Sequence, residues 1–453
     1  MNLVRPDTIQ TGTGKPERYP VSPFDFYSDL ICCFSNQIIH MVIHLEGQMN
    51  YELLSRAVFD ATQAEPITWC HLVLKQDTLW WEMNPDLEEK DLVISLPVPD
   101  PREILHEALS YPIDPYLGPM IQVVLIQSSE SEKGDILVIN AHHAVMDGRG
   151  LKDIAALIMA RYNNLRNGDH TKLLPTPLSQ RQFPKVSTLI SGNDNNLSNE
   201  SLEAWLSKAS VPIRSSRAEK SQYSLLTLTA ERMKIIQSTR KEWVMTINDL
   251  LISVIARVCS SVISEATYQV IPLFTTIDLR RYLPDIPVRS VMNCSTAFEV
   301  RVPVKKDDSL KETGILVHHL MNEIKAGTPG LDGVREAERL YEEGHVAATA
   351  ELQTAWDEIL RTGTKTTLFS NTGIICRESI DPGVPLVTYA YILPTHSLPP
   401  GFFFALSTFG DQMMISATYY TPAYDPTLVQ RIFLLIDQII PGYEISPGTY
   451  QIL

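Results

Sequence analysis

The segment His142–Gly148, with the sequence His-His-Ala-Val-Met-Asp-Gly, combines residue types that can carry out proton-transfer chemistry. His143 and Asp147 stand in an HxxxD spacing. A neutral imidazole, whose ordinary pKa is near ~6.5, accepts a proton from a hydroxyl or an amine at neutral pH. A nearby aspartate can order such a site, and a glycine allows a tight turn. The spacing therefore predicts a general base supported by a carboxylate.

The element that positions this segment is the apolar run Asp135–Asn140, which ends just before the two histidines and is typical of a buried strand. Successive side chains of a strand point to opposite faces, so His142 and His143 are expected on opposite sides. Only one of them can be the base in a given cleft, and the other is expected to be packed or hydrogen-bonded. The alternative is that both histidines are structural.

A second candidate segment, Thr276–Arg281, has the sequence Thr-Ile-Asp-Leu-Arg-Arg and follows another predicted strand. A carboxylate at Asp147 stays ionised in a protein interior only when it is paired. Arg280 or Arg281 is a natural partner, because a guanidinium matches a carboxylate with two parallel hydrogen bonds. Such a pair would join the two halves of the chain. The alternative is that both arginines are solvated.

Composition excludes several function classes. The chain has 453 residues and a net charge of −15, whereas a nucleic-acid binder needs a basic face. No run approaches the ~20 apolar residues of a membrane span, and residues 1–18 lack the apolar core of a signal peptide. No CxxC pair occurs, which argues against a metal or redox site. We expect a cytoplasmic protein whose cysteines are mostly buried free thiols: Cys32, Cys33, Cys70, Cys259, Cys294 and Cys376.

Strand-like and helix-like segments alternate in both halves, which indicates an α/β (α+β) fold. Prolines and a Ser-Gly-Asn-Asp-Asn-Asn run predict a linker over residues 176–212. The predicted N-terminal lobe is 1–175 and the C-terminal lobe is 213–453. One helix is predicted over Gly333–Arg361, and the polar stretch that ends in Ser370–Gly373 is either a turn or part of a binding site. His396, in a proline-rich loop, is expected at the surface.

The HHxxxDG pattern of His142–Gly148 resembles the signature of the CoA-dependent acyltransferase superfamily. This superfamily includes peptide-synthetase condensation domains, polyketide-associated acyltransferases, plant acyltransferases and chloramphenicol acetyltransferase. Similar segments extend over most of the chain and occur in the expected order: Pro20–Pro23, Ile113–Val123, Thr246–Leu251, Asp278–Arg280 and Asn293.

The resemblance implies two chloramphenicol-acetyltransferase-like lobes, each a mixed sheet with packed helices, and an active-site tunnel between them. It implies that His143, rather than His142, is the general base. Asp147 would be structural and Arg280 its partner, while Gly148 would permit the turn and offer a backbone N–H to an oxyanion. The residues that the resemblance places along the tunnel are Asn293, Ser370 and Asn371.

The resemblance also implies an activity, which is acyl transfer from a thioester to an alcohol or amine through a ternary complex. No metal or tightly bound cofactor is expected; coenzyme A or a phosphopantetheine thioester would be a co-substrate. Free acyl-CoA and an acyl carrier protein both remain possible donors, as do ester and amide products. A free-standing condensation enzyme and an inactive lobe pair that only binds a carrier protein are the alternatives. We expect a monomer that acts in natural product biosynthesis, with Lys133, Arg149 and Lys152 as candidate contacts to CoA phosphates.

Overall fold

The structure is a computed structural model that describes residues 18–84, 87–130, 133–181, 185, 211–283 and 291–453. Most of the predicted linker, residues 176–212, lies outside the described residues. The same holds for residues 1–17, where no signal peptide was predicted. The predicted lobe boundaries at residues 175 and 213 therefore stay predictions.

Helices begin where side chains can cap them. Ser22, Thr246 and Ser309 each form a reciprocal capping box with the acidic residue three positions later, which satisfies the free N–H groups of the first turn. The helices of the described chain are α1 (Pro23–Leu30), α2 (Tyr51–Ala64), α3 (Leu105–Leu109), α4 (Gly148–Arg166), α5 (Ala230–Glu242), α6 (Ile247–Ile263), α7 (Leu310–Ala326), α8 (Leu331–Glu343), α9 (His345–Thr362) and α10 (Pro426–Ile439).

Strands follow runs rich in apolar and β-branched residues, which suit a pleated and buried surface. The strands of the described chain are β1 (Arg18–Pro20), β2 (Ser35–Asn36), β3 (Ile38–Leu45), β4 (Cys70–Lys75), β5 (Thr78–Met83), β6 (Val93–Val98), β7 (Ile121–Ser128), β8 (Ile136–His142), β9 (Ala218–Leu228), β10 (Tyr268–Asp278), β11 (Ser295–Lys305), β12 (Thr367–Ile375), β13 (Val387–Leu393), β14 (His396–Ser397), β15 (Phe403–Phe409), β16 (Gln412–Pro422) and β17 (Thr449–Ile452).

Two large sheets form the framework of the fold. The strand order is β13-β3-β8-β7-β6 in the first sheet and β11-β10-β12-β15-β16-β9-β17 in the second. Most neighbours are antiparallel, but β6–β7, β10–β12 and β12–β15 are parallel pairs. Both sheets are thus mixed and carry packed helices, which confirms the predicted fold class. Smaller sheets pair β1-β5-β4 and β14-β2.

The two large sheets meet at a shared core. Strand β13 comes from the C-terminal half of the chain but pairs with β3 of the first sheet, with Leu393 opposite His40. Side chains from both sheets form one buried cluster that includes Val42, Tyr223 and Met414. Strand β8 lies next to β3, so the histidines at its end sit beside segments from both halves of the chain.

The structure corrects the helix predicted over Gly333–Arg361 and the expected exposure of His396, and it decides the form of the Ser370–Gly373 stretch. The helix predicted over Gly333–Arg361 is two helices, because Gly344 has a φ of 89° and interrupts the chain between α8 and α9. The Ser370–Gly373 stretch is not a separate turn but part of β12, with a register shift towards β15 between Asn371 and Ile374. His396 is buried, with 1% of its surface exposed, because β14 pairs with β2.

Among the described residues, no single helix is long and apolar enough to cross a membrane. Helices α5 and α6 meet the criteria of length and composition only as a pair, and that pair is bent by 99°.

Candidate active site

The loop after β8 places the two histidines in different surroundings. His143 is partly exposed, and its main-chain N–H donates a 2.7 Å hydrogen bond to the carbonyl oxygen of Gln37. Its Nδ1 is buried and bonds to no other residue of the described chain. Nε2 has no hydrogen-bond partner among the described residues either, so it is the ring nitrogen left for a substrate proton.

The environment of His143 keeps its imidazole neutral. Burial lowers the pKa of His143 below its ordinary value, and an interaction of the ring with its own main chain and the charge of Asp147 only partly oppose this. A neutral imidazole keeps a lone pair on one of its ring nitrogens and can accept a proton there. His143 thus has the protonation state of a base at neutral pH.

His142 points to the other side and is held by two contacts. Its Nδ1 accepts a 3.2 Å hydrogen bond from the N–H of Ala144, and its Nε2 lies 3.6 Å from Sγ of Cys32. Burial, together with the charge of His143, lowers the pKa of His142 to about 3. His142 is a neutral, packed residue, and nothing in its contacts connects it to a reacting group.

Asp147 does not face the imidazole but fixes the loop. It is the N-cap of α4: its Oδ1 accepts from the N–H groups of Arg149 and Gly150 at 3.1 and 2.9 Å. Its Oδ2 accepts from the N–H of Cys294 at 2.8 Å. Arg280 donates to both oxygens, at 2.6 and 3.2 Å. The carboxylate therefore ties the histidine loop to the segment that follows the DxR sequence.

The charge of this pair is stabilised within the protein. Burial alone would raise the pKa of Asp147, but the charge and hydrogen bonds of Arg280 and the two backbone N–H groups outweigh it, so the pKa lies below its ordinary value. Between the two arginines that the sequence left open, Arg280 is the partner. Arg281 lies over the ring of Tyr282 instead, 5.5 Å from its centre.

The turn role assigned to Gly148 is wrong. Gly148 has no positive φ and is the first residue of α4, so the backbone does not require glycine there. A Cβ at this position would make ordinary 3.8 Å contacts with Thr372. Gly150, which the sequence analysis did not single out, is the constrained glycine: a Cβ there would lie 2.8 Å from Cβ of Met146 and 3.4 Å from backbone atoms of Met292.

The three residues predicted along a tunnel have different surroundings. Asn293 is buried and its amide donates a 3.2 Å hydrogen bond to the hydroxyl of Ser28 on α1. Ser370 is half-buried and shares a 2.8 Å hydrogen bond with the hydroxyl of Thr276. Asn371 is exposed and its side chain accepts from the N–H of Gly373 at 2.9 Å. Their role in lining a tunnel stays a prediction.

Arg181, in the predicted linker, is a site residue that sequence reasoning missed. Its Nη1 donates to the carbonyl oxygen of Val145 at 3.1 Å and also to that of Val291. Its Nη2 lies 3.4 Å from the carboxylate of Asp25. One guanidinium thus holds the histidine loop and the segment before Asn293. No feature of the sequence around Arg181 predicts this role, because its partners are distant along the chain and are brought to it only by the fold.

The other candidate ligands of the sequence analysis are already engaged. Lys133 pairs with Asp100 and Glu130, and Arg149 pairs with Asp278. Lys152 donates to the carbonyl oxygens of Thr372 and Ile374. These contacts give no support to phosphate binding by the three cations. The described residues contain no group of three or more His, Cys, Asp or Glu side chains that could hold a metal ion.

The cysteines are all free thiols. Cys70, Cys259 and Cys294 are buried as expected, and Cys32 is half-buried. Cys33 and Cys376 are exposed, so the expectation of burial is wrong for these two. Cys33 ends the short 3-10 turn Ile31–Cys33 and Cys376 directly follows β12, so neither lies within a buried strand or helix.

The fold is shared with solved structures, although the sequences have diverged. Trichothecene 15-O-acetyltransferase from Fusarium sporotrichioides superposes with a TM-score of 0.70 at 15% identity, over 96% of each chain. The first condensation domain of the CDA synthetase gives 0.65 at 12% identity, over 96% of this chain and 99% of that one. The epimerization domain from the third module of tyrocidine synthetase B gives 0.65 at 13% identity, over 95% and 96%.

No family model matches the sequence, and no curated protein matches it. The superpositions extend over nearly the full length of both partners, so the chain shares the two-lobed fold of this acetyltransferase and of the condensation and epimerization domains. At identities of 12 to 15% the likeness establishes the fold alone.

Proposed function

We propose that this protein transfers an acyl group from a thioester to an alcohol or an amine, with His143 as the general base. The observation that carries the proposal is the state of His143: a partly exposed residue with a neutral imidazole, on a loop held from both halves of the chain. The shared fold with an acetyltransferase and with condensation domains supports the same chemistry.

In the proposed reaction both substrates are bound together between the lobes. Nε2 of His143 takes the proton of the acceptor hydroxyl or amine as the acceptor attacks the thioester carbonyl. The new C–O or C–N bond forms, the carbonyl oxygen becomes an oxyanion, and collapse breaks the C–S bond. The thiolate then takes the proton back from His143. Such base catalysis contributes about 10²–10⁴ to the rate.

We assign the oxyanion to the N–H of Gly148. This N–H begins α4, and no acceptor in the described chain takes it. A helix N-terminus carries partial positive charge, which favours a developing negative charge. The carboxylate of Asp147 accepts from the next two N–H groups of this turn, those of Arg149 and Gly150. It therefore holds the start of α4 in place and leaves the N–H of Gly148 available.

The contacts of Lys133, Arg149 and Lys152 do not identify the thioester donor, so the donor has to be identified by experiment. Coenzyme A and a carrier-protein phosphopantetheine arm present the same thioester to His143, so the site chemistry is common to both. A condensation enzyme that joins two carrier-bound substrates would use the same base. A non-catalytic lobe pair would gain nothing from the neutral, accessible imidazole.

The test is thiol release from a panel of acyl-CoAs mixed with alcohols and amines. Wild type is compared with His143→Gln, which keeps the size of the side chain but lacks a base. We expect acceptor-dependent thiol release in the wild type and a loss of about 10²–10⁴ in the variant. A parallel panel supplies the same acyl groups on a phosphopantetheinylated carrier protein.

His142→Gln is the matched control because it removes the other imidazole of the pair. It should lower stability, since His142 is packed against Cys32 and Ala144, yet retain measurable transfer. If the wild type released no thiol from either CoA or carrier-protein donors, the proposal would be overturned and the binding-only alternative favoured. Full turnover by a folded His143→Gln would refute the assignment of the base.

A further inference from the structure

Lys365 is a buried cation that the proposed chemistry does not use. It lies between α9 and β12 with 9% of its surface exposed. Its Nζ donates a 2.6 Å hydrogen bond to the hydroxyl of Ser397 and lies 4.9 Å from the ring centre of Trp356. Burial lowers the pKa of Lys365 to about 8, and no charged group contributes to that shift. In the described chain, no carboxylate lies within ion-pair distance of it.

Lys365 lies at the end of a set of polar side chains on the β2–β14 pair. Ser397 is the direct cross-strand partner of Ser35, so the two hydroxyls lie on the same face of the β2–β14 pair. The amide of Gln37 donates to the hydroxyl of Ser35. The carbonyl of Gln37 accepts the N–H of His143 at 2.7 Å. We call Gln37, Ser35, Ser397 and Lys365 the polar row.

A cation without a counter-charge is costly in a protein interior, and buried lysines are ordinarily paired. The aromatic neighbours of Lys365, Trp356 with Phe34 stacked on it at 4.9 Å, attract the ammonium but cannot neutralise it. Departures of this kind concentrate at functional sites. An anionic group is the partner that would neutralise this cation.

We propose that Lys365 and Ser397 form a subsite for a carboxylate carried by one of the two substrates. The ammonium supplies the charge, and Ser397, which accepts from Lys365, keeps its own O–H to donate. Ser35 is the half-exposed member of the row and the point at which the carboxylate enters. The inference rests on the proposed acyl transfer, because it names a class of substrate for the same site.

The experiment compares kcat/KM for matched charged and neutral substrates. Succinyl-CoA against butyryl-CoA tests a carboxylate on the acyl donor. Amino acids against their carboxamides, with acetyl-CoA, test a carboxylate on the acceptor. We expect the wild type to prefer the charged partner in one of these pairs, and Lys365→Met to lower that ratio about 10- to 100-fold.

Lys306→Met is the control, since it removes a lysine charge that pairs with Glu265 outside the polar row. Its ratio should equal that of the wild type; an equal drop would show a general electrostatic effect and contradict the subsite. A wild type without preference in either pair contradicts the subsite while leaving acyl transfer intact. If the wild type transferred no acyl group between uncharged donors and acceptors, that result would contradict the proposed function itself.

Two measurements that need no turnover complete the test. Calorimetry compares the binding of succinyl-CoA and butyryl-CoA, and of amino acids and their carboxamides, to wild type and Lys365→Met. Tighter binding of a charged partner that the variant loses supports the subsite even if transfer fails. The melting temperature of Lys365→Met should match or exceed that of the wild type, because an uncompensated buried charge is removed. A lower melting temperature would show that Lys365 serves the fold.

Discussion

Asp147 and Arg280 lie 133 positions apart in sequence, yet Arg280 donates to both carboxylate oxygens of Asp147. The side chain of Arg280 is 0% exposed and that of Asp147 is 4% exposed. Arg280 also donates to the carbonyl of Met292, so every part of the pair is hydrogen-bonded. The contact joins the N-cap of α4 to the segment after β10, and so sets the position of the loop that carries His143.

Replacement of Asp147 by Asn tests this pair. Asn caps a helix as well as Asp does, so the change removes the charge and keeps the cap. We expect a loss of about 3–5 kcal/mol in the free energy of unfolding, because the buried Arg280 loses its counter-charge. Asp425→Asn is the control: Asp425 caps α10 and pairs with Arg214, which is 71% exposed. Its loss should not exceed about 1 kcal/mol. Equal losses in urea unfolding would contradict the buried pair.

The pH dependence of transfer tests the state of His143. The base works when neutral, so kcat/KM should be constant above its pKa and fall as the pH drops through it. Because burial lowers this pKa, the acidic limb should be centred below the ordinary ~6.5 of an imidazole. The profile is measured with a substrate that does not titrate in the range. A limb centred at or above 6.5 would rule out a desolvated base.

Two glycines of the same turn should respond differently to alanine. Gly150→Ala places a Cβ against Met146 and the backbone of Met292, and we expect it to lose about 1–3 kcal/mol of stability. Gly148→Ala should leave the melting temperature close to that of the wild type, since its Cβ makes only ordinary contacts with Thr372. Thermal unfolding of both variants decides this, and a marked destabilisation by Gly148→Ala alone would reverse the assignment.

Arg181 is expected to act as a positioning residue. Arg181→Met removes the bonds to the carbonyls of Val145 and Val291, and kcat should fall by about 10–10² with little change in KM, because the loop of His143 shifts. Arg161→Met is the control, since Arg161 is also buried and ion-paired, with Asp60, at the far part of α4. It should lose comparable stability.

A comparison of kcat between Arg181→Met and Arg161→Met distinguishes a positioning role from a general loss of stability. If Arg161→Met lowered kcat as much as Arg181→Met, the effect would follow from destabilisation alone. Arg181→Lys keeps the charge but cannot span two carbonyls and a carboxylate with one planar group, so it should recover only part of the rate.

Much of the local structure could be predicted because it depends on neighbouring residues. The buried strand predicted over Asp135–Asn140 is β8, and the strand predicted ahead of the DxR sequence is β10. Glycine interruptions were harder: the break at Gly344 is set by a positive φ that no periodic pattern reveals. The pairing of β13 with β3 could not be predicted, because it joins segments from the two halves of the chain.

For the site, the sequence by itself determined the residue types: a histidine pair at a strand end, a carboxylate four residues after His143, and an arginine able to pair with it. These follow from local spacing and from the cost of an unpaired buried charge. Only the tertiary structure decided which arginine pairs, that Gly150 rather than Gly148 is constrained, that Arg181 bonds to the histidine loop and that Lys365 is buried beside Ser397. Such contacts join segments far apart in the chain, and their energies depend on burial that no spacing encodes.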